Sequence, residues 1–392
     1  MHKFIYPSKD TWISELSSSI NYGYDEILEL KKEFKSSSTS SIVNGVTRIL
    51  THFDISGVSS SVVSGDIPTP ESGNTKYFLR LYSSTSSHLS REYSLTSFPV
   101  SKSWGEGTGR HLDNPITQNG VTWDRRDQSN TSTDWTDEGG TLSSGSRTLN
   151  SGSESVGSGS KGGGAWYTGS NFEASQSFSY SSPDINMDVT NIVDSWLKQD
   201  ISNNGFIINR SGSIDVGGEE SDTSRQDLKF FSRNTNTIYS PRLEIKWDDH
   251  VPCSGSNTGS LTELDVTGLS DNYIYIKGIK PQYKETEEVK FRIGSRKRHV
   301  SKTFSTSVQT ISGSFIPENS GSYSILDLAT GETLIPFGDY TKLSCDSNSN
   351  YFIQDLNTFH PNRIYKIMIK VKYNDNQEVI FDDDNYQFKV TR

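Results

Sequence analysis

One stretch of the chain constrains the fold most, because it holds the single helical pattern in a sequence otherwise made of short strand-like runs. Apolar residues recur there at helical spacing: Val189, Ile192, Val193, Trp196 and Leu197. This spacing places them on one face of an amphipathic helix. Asp188 precedes the stripe as a candidate N-cap, and Asn203-Asn204-Gly205 follows with residues that favour a helix end. We expect one short helix, over about 188–199, packed on a β-sheet.

The runs on either side of this helix are short, and many alternate apolar with polar residues. In the first 250 residues they lie at 4–7, 10–14, 26–30, 47–54, 75–82, 94–100, 172–180, 205–209, 228–232 and 241–247. Hydrophobic residues make up only 31% of the chain and aromatic residues 11%, so much of the apolar content is Tyr, Phe and Trp. Aromatic residues suit pleated strands, and the Ser, Thr, Asn and Gly between them suit turns. The pattern predicts an all-β protein.

The polar stretch DDHVPCSGSNTGS after Trp247 has no periodicity and predicts a domain boundary. We expect a domain at 1–249, a linker at 250–261 and a second domain at 262–392. Strand-like runs of the second domain lie at 273–276, 289–293, around Phe304, and at 323–327, 351–353, 364–373 and 386–390. About seven short strands in this length predict an immunoglobulin-like β-sandwich. For the first domain we expect a jelly-roll-like β-sandwich that carries the one short helix.

The tryptophans divide into two groups. Residues 103–169 are rich in Ser and Gly, above all at 136–164, and can bury little apolar surface by themselves. Four tryptophans lie in or beside this region: Trp104, Trp123, Trp135 and Trp166. Either they pack as lids on the sandwich, or their indole faces are exposed and stack on sugar rings or contact a protein partner. Trp12, Trp196 and Trp247 lie on regular elements and are predicted to be structural core residues.

Charge and cysteine content exclude several classes of function. A net charge of −10 disfavours nucleic-acid binding. The basic cluster Arg296-Lys297-Arg298-His299 is either a solvated loop or a patch for an acidic partner. No run approaches the ~20 apolar residues that span a membrane, and the first residues, MHKFIYPSKDTW, show no secretory signal. Two cysteines indicate a reduced compartment, although Cys253 and Cys345 could still form a bridge.

No pattern predicts catalysis. The seven histidines are scattered singly, and Ser195 does not lie on a strand-to-helix elbow. The acidic residues of one Gly-rich loop form a candidate structural Ca²⁺ site: Asp215, Glu219, Glu220 and Asp222. Asp382-Asp383-Asp384 is a second candidate, and Asp184, Asp188 and Asp194 near the helix either cap and solvate it or bind the same ion. We otherwise expect no cofactor and no enzymatic activity.

Several motifs follow one another in the order seen in a known family. They are Asp10-Thr11-Trp12-Ile13, Asn21-Tyr22-Gly23, Ile27-Leu28-Glu29-Leu30, the run 48–56, Trp104-Gly105-Glu106, Val121-Thr122-Trp123, the run 189–196 and Ser240-Pro241-Arg242-Leu243. Over residues 3–247 the chain resembles the DNRLRE family of β-sandwich domains, which is related to some carbohydrate-binding modules. The Ser/Gly-rich segment at about 136–164 is an insertion relative to that pattern.

The whole chain also resembles structural proteins of tailed, marine myophage-like bacteriophages, in which such a domain precedes an immunoglobulin-like one. The runs at 350–356 and 359–366 carry this second resemblance. It implies a non-enzymatic virion protein of the tail, baseplate or neck, assembled in the host cytoplasm. Its partners would be other virion proteins in a symmetric assembly, with the chain itself a homo-oligomer, and neither nucleic acid nor membrane. The alternative is a carbohydrate-binding module that attaches a virion or a cell-surface protein to host glycans.

Overall fold

The computed structural model describes residues 1–36, 42–129, 133–135, 147–149, 152–156, 162–179, 182–210, 227–267, 272–299, 304, 313–373 and 377–392. Its chain divides into two compact units, one formed by Ile5–Ile245 and one by Met1–Phe4 with Lys246–Arg392. We call them the N-terminal unit and the C-terminal unit. The division lies close to the expected one near residue 249, but the first four residues belong to the C-terminal unit.

Strands account for most of the regular structure, as predicted, and the fold is of the all-β, sandwich type. The elements up to residue 250 are β1 (His2–Ile5), β2 (Pro7–Ser14), β3 (Ile27–Ser36), β4 (Ile42–Phe53), α1 (Ser56–Ser64), a 3₁₀ turn (Pro70–Ser72), β5 (Thr75–Leu81), β6 (Ser83–Ser87), β7 (Glu92–Pro99), β8 (Arg147–Leu149), β9 (Gly152–Val156), β10 (Ala165–Thr168), β11 (Ala174–Ser179), β12 (Ile185–Asp188), α2 (Thr190–Leu197), β13 (Phe206–Arg210), β14 (Asp227–Phe231) and β15 (Arg242–Trp247).

The largest sheet of the N-terminal unit has the strand order β11-β7-β13-β4-β3-β14-β6, with β2 also paired to β4. A second sheet includes β15-β5-β12, and β10-β9-β8 form a third. Strand β13 pairs with β4 on one edge and β7 on the other, and all five of its residues are buried. An apolar run of this kind is expected of a central strand that is covered on both faces.

The predicted helix is present, and its apolar face packs against the sheet as expected. Helix α2 buries Ile192, Val193 and Trp196, and the Trp196 ring lies 4.7 Å from that of Phe206 in β13. Val189 occupies the N-cap position without a side-chain cap. Asp188, one residue earlier, accepts hydrogen bonds from the backbone N–H (3.0 Å) and the hydroxyl (2.5 Å) of Thr190. Asp188, the predicted N-cap, thus bonds to the first turn of the helix from the position before the N-cap.

Two features of this unit differ from the expectation. A second helix, α1, lies at 56–64 and buries only Val58; it therefore has no apolar stripe for a helical pattern to reveal. Strands β8 and β9 lie in the Ser/Gly-rich insertion that we expected to be a loop, and they pair through Arg147–Leu149 and Gly152–Glu154. Strand pairing is made by backbone hydrogen bonds, so it does not require an apolar sequence.

The C-terminal unit is a sandwich of two antiparallel-rich sheets. Its elements are a 3₁₀ turn (Gly255–Thr258), β16 (Thr262–Glu263), β17 (Asn272–Lys277), β18 (Gln282–Lys284), β19 (Glu288–Lys297), β20 (Ser314–Phe315), β21 (Gly321–Asp327), β22 (Thr333–Ile335), a 3₁₀ turn (Asp339–Thr341), β23 (Ser344–Asp346), β24 (Ser349–Asp355), a 3₁₀ turn (Leu356–Thr358), β25 (Ile364–Lys372), β26 (Glu378–Phe381) and β27 (Gln387–Thr391). The strand expected around Phe304 falls on 300–303 and 305–312, outside the described residues.

One sheet of this unit has the order β16-β20-β19-β24-β23 with β17 paired to β19, and the other has β18-β27-β25-β21-β22 with β26 paired to β25. Alternate residues of both sheets form one core, which includes Ile293, Phe352, Ile367 and Phe388. Strand β25 shows the predicted alternation, with Lys366, Lys370 and Lys372 on its other face. The first residues also belong to this unit: the side-chain amide of Gln354 donates to the His2 carbonyl at 2.9 Å.

Candidate functional site

The four tryptophans proposed to bind a glycan or a partner are buried. Trp104, Trp123, Trp135 and Trp166 expose 5%, 2%, 0% and 8% of their surface and belong to one core cluster on the face of the large sheet. Two of the indole N–H groups donate to backbone carbonyls, that of Trp104 to Asn204 at 2.9 Å and that of Trp135 to Thr122 at 3.2 Å. Buried indoles present no face to a sugar ring. Of the two alternatives for these tryptophans, the structure shows the packed one, and the other three tryptophans, Trp12, Trp196 and Trp247, are buried as predicted.

A buried arginine, which sequence reasoning did not single out, completes this cluster. The guanidinium carbon of Arg48 lies 4.8 Å from the Trp123 ring centroid and 5.0 Å from that of Trp166. Its Nη1 donates to the Gly163 carbonyl at 2.5 Å. Gly163 has φ of 87°, and a Cβ there would lie 2.4 Å from Arg48 Nη1. Glycine in the Ser/Gly-rich insertion is thus required by close packing, and the cluster is structural.

One candidate calcium site lies outside the described residues, and the other two lie within them. Asp215, Glu219, Glu220 and Asp222 lie outside the described residues. In the second candidate, the Lys366 ammonium contacts Asp382 and lies 3.1 Å from Asp384, so a side-chain cation already occupies this acidic turn. Near α2, Asp184 accepts from the Ser83 backbone, Asp188 from Thr190, and Asp194 pairs with Lys198. Over the described part of the chain, no three His, Cys, Asp or Glu side chains converge as metal ligands.

Two carboxylates of the resemblance motifs meet in the interior of the N-terminal unit. Asp10 is 1% exposed, its backbone N–H donates to Glu106 at 3.0 Å, and its Oδ2 accepts from the Arg233 backbone at 2.7 Å. The other oxygen, Oδ1, is buried without a hydrogen-bond partner. Burial raises the pKa of Asp10 to about 7 and also raises the pKa of Glu106. Raised carboxyl pKa values are typical of acid–base sites, but a fully buried Asp10 cannot touch a substrate. We interpret the pair as structural.

The cavity beside α2 is also small. It measures about 120 Å³ and is lined by Lys76, Glu173, Asp188 and Thr190 among others. Pockets that enclose small ligands are usually ~300–1,000 Å³.

The cysteines of the C-terminal unit are free and buried in one small cluster with Phe315. Cys253 Sγ accepts from the Asn350 amide at 3.3 Å. The hydrogen bond with Cys345 and burial together raise the pKa of Cys253, which disfavours a reactive thiolate at neutral pH.

The surface best suited to binding lies on the C-terminal unit and follows from strand alternation. In β17, Ile274 and Ile276 face the core, so Tyr273, Tyr275 and Lys277 lie on the opposite face. In β19, Phe291 and Ile293 face the core, which leaves the basic residues of that strand on the outer side. We define the aromatic–basic face as the set of outward residues Tyr273, Tyr275, Lys277, Lys290, Arg292, Arg296 and Tyr351.

The register of these strands interleaves rings with cations. Tyr273 is opposite Arg296, and the guanidinium carbon of Arg296 lies 4.8 Å from the Tyr273 ring centroid. The rings of Tyr273 and Tyr275 stack with centroids 5.4 Å apart. Tyr275 is opposite Gly294, where a Cβ would lie 2.4 Å from the tyrosine ring. Because Gly294 has no side chain, the Tyr275 ring can pack over it, against the surface of the sheet.

The next row of the face continues the same pattern. Lys277 is opposite Arg292, and Arg292 is opposite Tyr351. The Lys290 ammonium lies 3.6 Å from the Tyr351 ring centroid, at cation–π distance. Arg292 donates to Asp346 at 2.9 Å. Burial alone would raise the pKa of Asp346, but the bonds from Arg292 and from backbone N–H groups hold that pKa below its usual value.

This face was not found from the sequence, although a signal for it was present. The alternation Tyr-Ile-Tyr-Ile-Lys at 273–277 and Lys-Phe-Arg-Ile-Gly-Ser-Arg at 290–296 separates a core side from an aromatic or basic side. Of the residues of this face, only Arg296 belongs to the basic cluster predicted at 296–299. The pairing of the two strands brings the polar sides together.

The sequence matches no protein-family model and no curated protein. Among solved structures, a β-1,2-glucanase from Parabacteroides distasonis aligns with a TM-score of 0.21 and 8% identity, over 99% of this chain and 39% of the glucanase. The adhesin domain of Epf from Streptococcus pyogenes aligns with a TM-score of 0.17 and 7% identity, over 99% of both chains. The chain thus spans about two fifths of the glucanase's length. Similarities this weak do not indicate what the chain binds. Separately, none of the described helices is long and apolar enough to cross a bilayer.

Proposed function

We propose that this chain is a non-enzymatic attachment protein that binds glycans through the aromatic–basic face. The observation that carries the proposal is the outward tyrosine pair, Tyr273 and Tyr275, lying along a sheet surface with cations beside it. Tyrosine faces offer apolar contact to the C–H face of a sugar ring, while neighbouring side chains bond its polar groups. Tyr273 is 39% exposed, so a long polymer can reach the surface formed by the two tyrosine rings.

The setting that we propose is a tailed-phage virion, where such a protein would attach the particle to host glycans. Support for this setting comes from the sequence resemblance to phage structural proteins. In this proposal the chain is assembled with other virion proteins at the tail, baseplate or neck.

A panel of immobilised glycans tests the binding function. We expect the full chain to bind polysaccharide, and Tyr275→Ala to lose most of that binding because the ring platform is removed. The matched control is Tyr93→Ala, which removes a tyrosine stacked on Phe178 in the N-terminal unit. Near-ultraviolet circular dichroism checks that both variants remain folded. Absence of binding to any glycan, or equal binding by Tyr275→Ala, would refute the proposal.

A purely structural role through protein–protein contacts is a second candidate, favoured by one loop. Leu112 has φ of 73° and is 85% exposed, and Ile116 in the same loop is 48% exposed. The loop is held by the His111 backbone N–H, which donates to Asp25 at 2.8 Å, and by the Tyr24 N–H, which donates to the Gly109 carbonyl at 2.9 Å. An exposed leucine in a left-handed conformation is unfavourable in isolation, and such strain is typical of contact sites.

Leu112→Asn tests this candidate, because asparagine tolerates the left-handed conformation and removes the apolar contact. We expect weaker self-association in analytical ultracentrifugation with no loss of thermal stability. A wild-type chain that stays monomeric at high concentration and binds no virion protein would contradict a structural role.

A further inference from the structure

We propose that the natural ligand of the aromatic–basic face is an acidic polysaccharide, with a sugar ring on Tyr275 and its carboxylate or sulfate groups bound by Arg296 and Lys277. This inference rests on the proposed glycan-binding function and adds the charge class of the glycan.

The charge of the face supports this assignment. Lys277, Lys290, Arg292 and Arg296 share the face, and the ion pairs formed by these cations within the described residues end on one carboxylate, that of Asp346. Lys290 lies 3.4 Å and Arg292 2.9 Å from it. Arg296 Nη1 donates to the backbone carbonyl of Lys297 at 3.2 Å, and Lys277 Nζ to that of Asn348 at 3.2 Å. Carbonyls do not neutralise a cation, so four cations and one carboxylate leave three positive charges on this face.

The spacing of the face favours a polymer over a single charged sugar. Lys277 is opposite Arg292, which is four residues from Arg296 along β19, a distance of about 13 Å. The Tyr275 ring lies over Gly294, which is halfway between them. The order along the strand is therefore cation, ring, cation. An acidic polysaccharide has the complementary order, because its acid groups are separated by sugar rings.

Single-stranded nucleic acid would use similar groups but fits less well. Its charges lie about 3.4 Å apart along the strand, much closer together than the cations on either side of Tyr275, which are about 13 Å apart. Sites for single strands also stack successive bases on several free rings. Here one ring, Tyr273, already has the Arg296 guanidinium at 4.8 Å.

The experiment measures affinity of the full chain, by gel electrophoresis in the presence of each polymer. The probes are polygalacturonate and its methyl ester, dextran sulfate and dextran, and the single strand poly(dT). We expect binding to polygalacturonate and dextran sulfate, with affinity that falls as salt rises. The uncharged partner of each pair should bind at least about tenfold more weakly, because charge-assisted hydrogen bonds are lost.

Three variants connect the binding to the face. Arg296→Gln should weaken binding of the acidic polymers about tenfold. Gly294→Ala should weaken it several-fold, because the added methyl group displaces both the Tyr275 ring and the Lys277 side chain while every charge is kept. The control Lys284→Gln removes an exposed cation from β18, in the other sheet, and should leave the affinity unchanged. Near-ultraviolet circular dichroism and the melting temperature show whether each variant is folded.

The outcomes separate the two proposals. Binding of neutral and acidic polymers with equal affinity, sensitive to Tyr275→Ala but not to Arg296→Gln, would overturn the acidic assignment and leave the glycan-binding function in place. Tighter binding of poly(dT) than of either acidic glycan would also overturn it. If no polysaccharide binds, both proposals fail. A preference between polygalacturonate and dextran sulfate would show whether carboxylate or sulfate is recognised, and either result supports the inference.

Discussion

Charged side chains in the interior of the N-terminal unit show how single residues depend on their surroundings. Arg48 and Asp10 are each 1% exposed, and burying an ion is costly unless neighbours compensate for the lost water. Arg48 is compensated by two indole faces and a carbonyl. Asp10 is compensated only in part, since its Oδ1 has no partner and Glu106 is close. The burial of Asp10 therefore makes the stability of the unit depend on pH.

The first prediction concerns Asp10. Its pKa is raised from 3.8 to about 7 in the folded chain, mainly by burial and also by the charge of Glu106, while Arg233 acts in the opposite direction. Because the folded state holds the proton more tightly, this group favours folding fully below pH ~4, and the contribution is lost as the pH rises to about 7. Asp10→Asn cannot ionise. We expect the variant to gain stability relative to wild type between pH 5 and pH 8, on the order of 2 kcal/mol.

Urea unfolding followed by tryptophan fluorescence checks this, because Trp247 is the one tryptophan outside Ile5–Ile245. Asp200→Asn, an exposed substitution, serves as the control. A stability difference between Asp10→Asn and wild type that does not change with pH would contradict the raised pKa. Lys9 and Glu106 also lie near Asp10 and can titrate. Both groups are present in the variant and in the wild type, so their contribution to the pH dependence largely cancels in the difference between the two.

At the scale of elements, strand β10 shows how a low-complexity segment acquires a defined place. Gly162, Gly163 and Gly164 precede β10 and all have positive φ. They bring the backbone against the Trp123 side chain and Arg48, and β10 then places Trp166 in the core. Position 163 requires glycine because its φ is positive and because a Cβ there would clash with Arg48.

Gly163→Ala and Gly65→Ala separate these two requirements. Their φ values are nearly equal, 87° and 85°. An added Cβ would meet Arg48 Nη1 at 2.4 Å in the first and nothing within 4 Å in the second. We expect both to lose about 1 kcal/mol from the left-handed conformation, and Gly163→Ala to lose about 2 kcal/mol more from overpacking. Denaturant unfolding of the N-terminal unit measures the difference, and equal losses would show that the close contact is unimportant.

At the scale of the whole molecule, the chain builds two cores, and the boundary between them is not simply one point in the sequence. The C-terminal unit takes in Met1–Phe4. Lys3 pairs with Asp355 at 2.9 Å, and Gln354 donates to the His2 carbonyl. The N–H of Trp247 donates to the Met1 carbonyl at 3.1 Å. The first four residues of the chain are thus part of the C-terminal unit.

A fragment of residues 246–392 should therefore lack the contacts that residues 1–4 make in this unit. We expect the synthetic peptide of residues 1–6 to raise the melting temperature of this fragment in calorimetry, because a ligand of the folded state stabilises it. A peptide with Lys3→Glu should have a smaller effect, since the charge opposite Asp355 is reversed. A fragment whose melting temperature does not respond to the peptide would show that these residues add nothing to the unit.

Much of the fold was predictable because it is a local property of the sequence. The alternation at 364–373 matches β25, the apolar run at 205–209 matches β13, and the stripe at 189–197 matches α2. The candidate site was much less predictable. Whether Trp135 is exposed or buried depends on what covers it, and no pattern in its own segment contains that information.

By itself, the sequence determined the all-β class, most strand positions and the main helix, because alternation and helical periodicity record which side of each element meets a core. Only the tertiary structure decided that Trp104, Trp123, Trp135 and Trp166 are buried, with Trp123 and Trp166 against Arg48, and that the first residues join the C-terminal unit. It also decided that Tyr275 lies beside Arg292 and Arg296. These outcomes depend on pairings between residues far apart in the chain, and the register of such pairings is set by the packing of the whole sheet rather than by either strand alone.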